Sequence, residues 1–247
     1  MFSVNPLYEI FQKDSRDYLK EIPTESVNLV VSDVPYPTTK RGGKSSTMGG
    51  YWNSELVNKG KIFINNSIKP SEYLSELYRV LKDGTHCYIM INNLNLIEML
   101  NEGLKVGFKF IKLLAWDKTV RICGTYYMGQ IEHIIMFRKG KGRPINNCGT
   151  SDLLSVPIHK LKDAEGHNLH DTEKPVELME ILINNSSNEG DIVLDPFMGI
   201  GSTGVASIKN KRRFIGIEID PSYFEIAKSR LEKESAQSKN KSLIDYI

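Results

Sequence analysis

Short apolar runs that alternate with helix-like segments restrict the fold of this sequence more than any other feature. The runs have the length of strands, and most of the segments between them carry apolar residues at helical spacing. Strands are predicted at residues 7–11, 27–31, 86–91, 110–116, 131–137, 192–194 and 214–219. Helices are predicted over 71–81 and 94–104 and from Ser15, Val176, Ser202 and Ser222 onward. The alternation predicts an α/β fold with a mostly parallel sheet and helices on both faces.

Size and charge narrow the class of protein. The chain has 247 residues, of which 40% are hydrophobic, so it can bury the core of one principal domain. Its net charge of +2 excludes a strongly cationic protein, and nucleic-acid contact would have to come from local clusters. Cys87, Cys123 and Cys148 fit neither a disulfide framework nor a zinc site. With no signal-peptide pattern and no apolar run of about 20 residues, we expect a soluble, cytoplasmic protein.

A glycine-rich turn follows the predicted strand 192–194 and opens a predicted helix. It reads Asp-Pro-Phe-Met-Gly-Ile-Gly-Ser-Thr-Gly from Asp195 to Gly204. Glycines let a ligand approach the backbone, and the first turn of a helix offers unpaired N–H groups. The glycines also fit the dinucleotide pattern G-x-G-x-x-G, with Glu218 near the end of the next strand placed to hold ribose hydroxyls. Alone, the turn is a weak signal, and a tight connection without a ligand is the alternative.

A second motif, Ser32-Asp33-Val34-Pro35-Tyr36, follows the predicted strand 27–31. Side chains at the carboxyl ends of strands in an open α/β sheet project into the ligand crevice. The tyrosine ring can stack on a flat base, and the Asp33 carboxylate and the Val34 carbonyl can accept the two N–H bonds of an amino group. A turn with a buried tyrosine is the alternative for these residues taken alone.

Together the motifs resemble the DNA amino-methyltransferases, in the subgroup whose catalytic motif precedes its cofactor motif. The family's Asp-Pro-Pro-Tyr-like tetrapeptide is matched by residues 33–36, and its Asp-Pro-Phe-x-Gly-x-Gly turn by 195–201. His-x-Thr-x-Lys-Pro is matched by His170, Thr172, Lys174 and Pro175. Further matches are Lys13-Asp14-Ser15, Trp116-Asp117-Lys118, Asp220-Pro221-Ser222-Tyr223, Ala227 and Arg230. The resemblance runs from about residue 8 to about residue 231 and implies a Rossmann-like methyltransferase fold with a circularly permuted motif order.

The resemblance implies that S-adenosylmethionine is the cofactor, that adenine N6 of a flipped DNA base is the target, and that no metal is needed. The implied catalytic residues are Asp33, Val34, Pro35 and Tyr36. The implied cofactor-binding residues are Asp14, Lys174, Asp195, Phe197, Gly199, Gly201, Ser202, Thr203 and Glu218. Lys174 is assigned to the cofactor's carboxylate, with a helix start at Lys174-Pro175 as the alternative. The family's first catalytic proline is Val34 here, which removes a ring that fixes φ.

Two irregular segments, residues 37–66 and 139–171, are too long for ordinary loops. We expect the first to be a loop insertion and residues 140–168 to carry target recognition within a single methyltransferase domain. The expected DNA contacts are Thr39, Lys40, Arg41, Lys44, Arg138, Lys139, Lys141 and Arg143. The implied partner is double-stranded DNA rather than a membrane. The resemblance leaves a homodimer, a cognate restriction endonuclease and a prokaryotic or phage origin open.

Three other functions compete with adenine methylation. A cytosine N4 methyltransferase is the nearest, and Asp33 favours adenine because serine at that position is typical of the cytosine enzymes of this family. A catalytically weak DNA-binding relative is the second, because of Val34. A nicotinamide-dependent oxidoreductase is the third, but little chain follows Gly204 to complete its fold, and it gives residues 33–36 no role.

Overall fold

A computed structural model of the chain describes residues 7–35, 68–122, 127–159, 161–162, 165–166 and 173–244, apart from the side chains of 122 and 239–244. Its strands are β1 Tyr8–Gln12, β2 Val27–Asp33, β3 Leu81–Ile91, β4 Lys109–Ile122, β5 Gly129–Arg138, β6 Leu153–Ser155, β7 Ile192–Asp195 and β8 Arg213–Glu218. Its α-helices are α1 Ser15–Tyr18, α2 Leu74–Val80, α3 Leu96–Lys105, α4 Val176–Ser186, α5 Ser202–Lys209 and α6 Pro221–Ile244. Within these ranges, no helix is both long and apolar enough to cross a bilayer.

The strands form one eight-stranded sheet in the order β1-β8-β7-β2-β3-β5-β4-β6. Only β5 runs against its neighbours, β3 and β4, and every other pair is parallel. The predicted mostly parallel, Rossmann-like sheet is therefore confirmed. An antiparallel strand can follow its neighbour through a hairpin, which explains why β4 and β5 need no helix between them.

Helices cover both faces of the sheet because the central strands are apolar on both sides. In β2, Val30 packs in a buried cluster with Leu77 of α2 and Met99 of α3. Leu29 lies on the other face, in a cluster with Leu178 of α4. Alternate residues of a strand point to opposite faces, so the continuous apolar run of β2 fits a strand buried from both sides.

The hairpin of β4 and β5 is longer than the apolar pattern predicted. Pairing continues from Asp117 opposite Ile131 to Ile122 opposite Gly129, beyond the polar residues that ended the predicted strand. Backbone hydrogen bonds do not need apolar side chains, so the pattern could not reveal this extension. As a result, the hairpin reaches past the level at which β2 ends, since Asp33 aligns with Met90 of β3 and Met90 with Ile134 of β5.

Gly84 marks an irregularity in strand β3. The helix ends at Val80, and Gly84 lies inside β3 with φ of 78°. Its N–H donates to the Lys139 carbonyl, and the register between β2 and β3 shifts nearby. Glycine is used here for a strand irregularity, a role that its positive φ allows equally well.

The parallel strands β1, β8, β7 and β2 all end at one edge of the sheet, which we call the carboxyl edge. The chain leaves β7 toward β8 on one side, while β2 leads to β3 on the other. Adjacent strands whose connections run in opposite directions leave a crevice between them, and ligands of open α/β sheets bind there. The motifs that end at Asp33 and begin at Asp195 lie at this crevice.

Candidate active site

One buried carboxylate joins the two motifs. Asp195 Oδ1 accepts from the Ser32 hydroxyl at 2.6 Å and from the Phe197 N–H at 3.1 Å. Its Oδ2 accepts from the Thr203 hydroxyl at 2.7 Å. Burial raises the pKa of Asp195 to about 6, although the hydrogen bonds from Ser32 and Thr203 oppose the rise. This carboxylate therefore fixes the end of β2, the turn after β7 and the start of α5 relative to one another.

The glycine turn has the conformation that close approach to its backbone requires. Gly199 and Gly201 have φ of 52° and 82°, a region that residues with a side chain rarely adopt. A Cβ on Gly201 would lie 3.2 Å from the Cβ of Ala227 in α6. Ser202 and Thr203 then begin α5 and are buried. The turn thus presents backbone at a helix N-terminus, which suits a ligand with polar or charged groups.

Two carboxylates flank this turn. Glu218, at the end of β8, accepts from the Gly199 N–H at 2.9 Å and from the Asp220 N–H at 2.8 Å. Asp14 follows β1, caps α1 through the Arg16 N–H at 2.9 Å and pairs with the Arg16 guanidinium. The neighbouring Ser15 hydroxyl donates to the Pro196 carbonyl, which brings the loop of Asp14 to the glycine turn. Both predicted acidic cofactor residues therefore lie at the same edge as Asp195.

An ion pair that the sequence did not predict supports the glycine turn from the side of helix α6. Arg230 of α6 donates to the Ile200 carbonyl at 2.7 Å and pairs with Glu173 at 3.1 Å. Glu173 also accepts from the Ser202 hydroxyl at 3.5 Å. Arg230 had entered the sequence analysis only as part of the resemblance, and Glu173 not at all, because nothing local marks a charge that will be buried.

Lys174 lies against the carboxylate of Asp33, the predicted catalytic residue. Its ammonium is 2.5 Å from Asp33 Oδ2 and 3.5 Å from Glu132 Oε2. The resemblance implies that Lys174 binds the carboxylate of the cofactor, whereas in the structure the ammonium contacts Asp33. Burial raises the pKa of Asp33, and the Lys174 ammonium offsets only part of that rise.

The other oxygen of Asp33 is available. Asp33 Oδ1 is buried and has no hydrogen-bond partner among the residues that the structure describes. A buried carboxylate oxygen without a donor is costly, so such an atom at the edge of a ligand crevice indicates that a donor arrives from a bound molecule.

Val34 is held by packing. Its side chain is 2% exposed and belongs to the buried cluster that includes Leu19 and Tyr73. A proline ring would fix this backbone through φ, whereas the valine is held through its apolar contacts. The last residue of the catalytic motif, Tyr36, lies outside the described residues, as do His170 and Thr172.

The expected DNA contacts fall into two groups. Thr39, Lys40, Arg41 and Lys44, with the whole 37–66 segment, lie outside the described residues. Arg138, Lys139, Lys141 and Arg143 lie at the end of β5 or just after it, and Arg138 aligns with His86 near the start of β3. Because β5 is antiparallel, this group lies at the sheet edge opposite the Asp33 crevice and not beside it. Its contact with DNA stays a prediction.

Lys139 also has a structural role of its own. Its ammonium donates to the Leu81 carbonyl at 2.7 Å, pairs with Glu25 at 3.2 Å and lies 5.0 Å from the centre of the Tyr78 ring. The residue is only 8% exposed. A long cationic side chain in a polar stretch looks like surface in a sequence, but this one supports the start of β3.

Comparison with known proteins agrees with this geometry. The model of a family described as an N6/N4 DNA methylase matches residues 27–229, which span both motifs and most of the chain. The chain belongs to this DNA methylase family. The family assignment excludes the nicotinamide-dependent oxidoreductase.

Individual relatives of this DNA methylase share most of its length. The type II methyltransferase M.HpaI of Haemophilus parainfluenzae is 31% identical over 240 residues, covering 87% of this chain and 71% of the relative. The DNA adenine methyltransferase YhdJ of Escherichia coli strain K12 is 29% identical over 266 residues, covering 95% and 86%. A crystal structure of M1.HpyAVI with S-adenosylmethionine superposes with a TM-score of 0.67 at 24% identity, covering 91% of this chain and all of the other, and so shares the fold.

Proposed function

We propose that this DNA methylase transfers a methyl group to N6 of an adenine flipped out of double-stranded DNA. The observation that carries the proposal is Asp33 Oδ1, a buried carboxylate oxygen that lacks a donor among the described residues and lies where β2 and β7 end. An exocyclic amino group supplies such a donor. The relative named as a DNA adenine methyltransferase supports adenine as the base.

The lone pair of an adenine amino group is delocalised into the ring, so the nitrogen is a weak nucleophile until its hydrogens are held by acceptors. Among the described residues, we assign Asp33 Oδ1 and the carbonyl of Val34 as the two acceptors. Positive charge develops on N6 as the bond to the methyl carbon forms, and the Asp33 carboxylate offsets it. Removing a preorganised partner of this kind costs about 10²–10³ in rate. Tyr36 would stack on the flipped base, worth about 1–3 kcal/mol by analogy with single-strand binding.

The glycine turn has the features that the cofactor needs. Backbone at the start of α5 would hold the methionine part, Glu218 the ribose hydroxyls, and Asp14 the adenine end, while Asp195 keeps the turn in shape. S-adenosylmethionine supplies a methyl group that its sulfonium already activates, so we propose no metal. Lys174 acts on Asp33 in this proposal and not on the cofactor.

DNA would approach the carboxyl edge, since the flipped base must reach Asp33. The exposed Arg121 lies on the β4–β5 hairpin at this edge, and the exposed Lys162 follows β6, which runs toward the same edge parallel to β4. Phosphate contacts from such side chains position a duplex. Because β6 ends at this edge, we assign recognition near the base to the part of residues 140–168 that follows Ser155.

The cellular role that we propose is modification within a restriction system, because relatives are named type II methyltransferases. A cognate endonuclease would then recognise the same sequence. A homodimer would add DNA-contacting surface to a short recognition segment. The bacterial sources of the relatives favour the cytoplasm as its location.

Methyl transfer from labelled S-adenosylmethionine to unmethylated DNA tests the proposal. We expect wild-type protein to produce N6-methyladenine, and Asp33→Ala to lose at least about 10²-fold in rate with cofactor affinity within about threefold. Asp152→Asn is a suitable control, because it removes an exposed carboxylate at a distance from the site. If the product is N4-methylcytosine, the target base is cytosine and the proposed adenine is wrong. If Asp33→Ala turns over at near the wild-type rate, Asp33 has no part in the mechanism.

A further inference from the structure

Four charged side chains form a chain of ion pairs that leads away from the catalytic carboxylate. Lys174 touches Asp33 at 2.5 Å and Glu132 at 3.5 Å, and Glu132 in turn pairs with Lys118 at 3.3 Å. The signs alternate, so the two carboxylates and two ammonium groups balance. The Lys118 and Lys174 side chains are 8% and 6% exposed, and the Glu132 and Asp33 side chains are 32% and 24% exposed. The ammonium groups are therefore shielded from water more than the carboxylates are.

Buried charges of this kind are costly unless each has a partner, and breaking one pair leaves an uncompensated charge. Glu132 lies on β5, next to the β4 strand that carries Lys118, and opposite Trp116 in the register. Lys174 comes from the segment before α4, which is a separate part of the chain. The charges therefore meet only in the folded protein, and they meet at the residue that the proposed reaction uses.

The pairing leaves the two oxygens of Asp33 in different states. Oδ2 receives the Lys174 ammonium, whereas Oδ1 is buried without a partner among the described residues. A carboxylate with one oxygen fixed by an ammonium cannot rotate freely, so Oδ1 keeps its direction. Orientation of this kind matters for a group that must accept a hydrogen bond in the transition state.

We propose that Glu132 and Lys118 are positioning residues for methyl transfer, which hold the Lys174 ammonium on Oδ2 of Asp33 and thereby keep Oδ1 directed at the substrate amino group. The inference rests on the proposed function of Asp33. Neither Glu132 nor Lys118 needs to touch the base, because both act through Lys174.

The charge balance gives opposite effects for the two residues. Glu132→Gln leaves a net positive charge near Asp33 and should lower its titration midpoint by about 0.5–1 pH unit. Lys118→Met leaves a net negative charge and should raise the midpoint by a smaller amount, because Lys118 pairs with Glu132 and not with Asp33. The double variant restores the balance and should move the midpoint of Glu132→Gln back toward that of the wild type. The charged groups near Asp33 from the surrounding elements are Lys174, Glu132 and, on the next strand, Asp195.

Two measurements on the full chain test the proposal. Carbon-13 NMR titration of the carboxyl groups, with Asp33→Asn to identify the Asp33 signal, reports the midpoints without requiring activity. In single-turnover methyl transfer, the rate loss at acid pH should shift in the same direction as the NMR midpoint of each variant. Near neutral pH, we expect Glu132→Gln to react about tenfold more slowly than the wild type, with cofactor affinity within about twofold of the wild-type value. Lys112→Met and Asp152→Asn break an exposed pair that also involves β4 and should change neither reading.

Midpoints that move in opposite directions in the single variants and return in the double variant support the positioning role. If the Asp33 midpoints stay in place or move in the same direction in both single variants, and only thermal stability falls, the positioning role is overturned. The ion pairs then stabilise the fold alone. If wild-type protein does not methylate DNA, the proposed function fails, and the NMR arm still decides whether the cluster controls Asp33.

Discussion

Replacing Ser32 with alanine tests the link between the two motifs. The Ser32 hydroxyl is fully buried and donates to Asp195 Oδ1 at 2.6 Å. Burial raises the pKa of Asp195 to about 6, and the hydrogen bond from Ser32 is the largest effect that opposes the rise. The acceptor is therefore a carboxylate at about pH 8 and a neutral carboxyl group at about pH 5, where the same hydroxyl faces a weaker acceptor.

The magnitude follows from the charge of the acceptor. A hydrogen bond to a charged group contributes about 1.5–3 kcal/mol, and one between neutral groups about 0.5–1.5 kcal/mol. We expect Ser32→Ala to lower the free energy of unfolding by about 2 kcal/mol at about pH 8 and by about 1 kcal/mol at about pH 5. The sign agrees with the linkage between protonation and folding. The pKa of Asp195 is higher in the folded protein than in the unfolded chain, so the free energy of unfolding falls as pH rises through about 6 and Asp195 ionises. Removing the Ser32 hydroxyl, which stabilises the ionised carboxylate, makes this fall larger.

Urea unfolding at the two pH values measures this difference. Ser207→Ala is the matched control, because its hydroxyl is equally buried and donates at 2.7 Å to the Thr203 backbone carbonyl, which does not titrate. The control should cost the same at both pH values. An equal cost of Ser32→Ala at both values, with the control also constant, would refute the assignment of Asp195 as a charged acceptor.

Two further substitutions test the packing of α5 and the reassignment of Lys139. In Gly204→Ala the new Cβ would lie 2.6 Å from a carbon of Phe214 and 2.7 Å from a carbon of Leu231. Overpacking of this kind destabilises a protein by about 1–3 kcal/mol, whereas alanine in place of glycine stabilises a helix by about 1 kcal/mol. We therefore expect the substitution to lower Tm. Calorimetry against Gly129→Ala, where nothing lies within 4 Å, checks this, and an unchanged Tm would contradict it. Lys139→Met should lower the free energy of unfolding by about 1–3 kcal/mol, because the Leu81 carbonyl loses its donor, while DNA affinity stays constant. If Lys139→Met instead weakens DNA binding and leaves stability unchanged, Lys139 belongs to the DNA interface.

The parts of the fold that sequence could predict are those set by local pattern. Periodicity located the central strands, and the strand-to-helix glycine turn lies where its motif placed it. The β4–β5 hairpin was underestimated because backbone pairing continues through polar residues such as Asp117. Strand β6 was missed because three residues at a sheet edge leave almost no periodic signal.

The site was predictable as a set of motifs but not as a set of contacts. Asp33 and Asp195 were found from their places after strands, whereas Glu132 lies near the start of an apolar strand pattern, and no local feature marks it. The basic residues from Arg138 to Arg143 were misplaced for a topological reason, since a sequence does not state that β5 runs against its neighbours. Direction along the sheet decides which edge a loop reaches, and only the assembled sheet supplies it.

Asp195 also links the two proposed ligand sites. It connects Ser32, next to the proposed base-binding residue Asp33, to the glycine turn 163 residues later in the chain, where we propose that the cofactor binds. Coupling between two binding sites is reciprocal, so each ligand must change the affinity for the other by the same factor. If the methyl donor strengthens DNA binding through this link, DNA affinity measured without the donor understates that of the complete complex by the factor by which DNA strengthens donor binding.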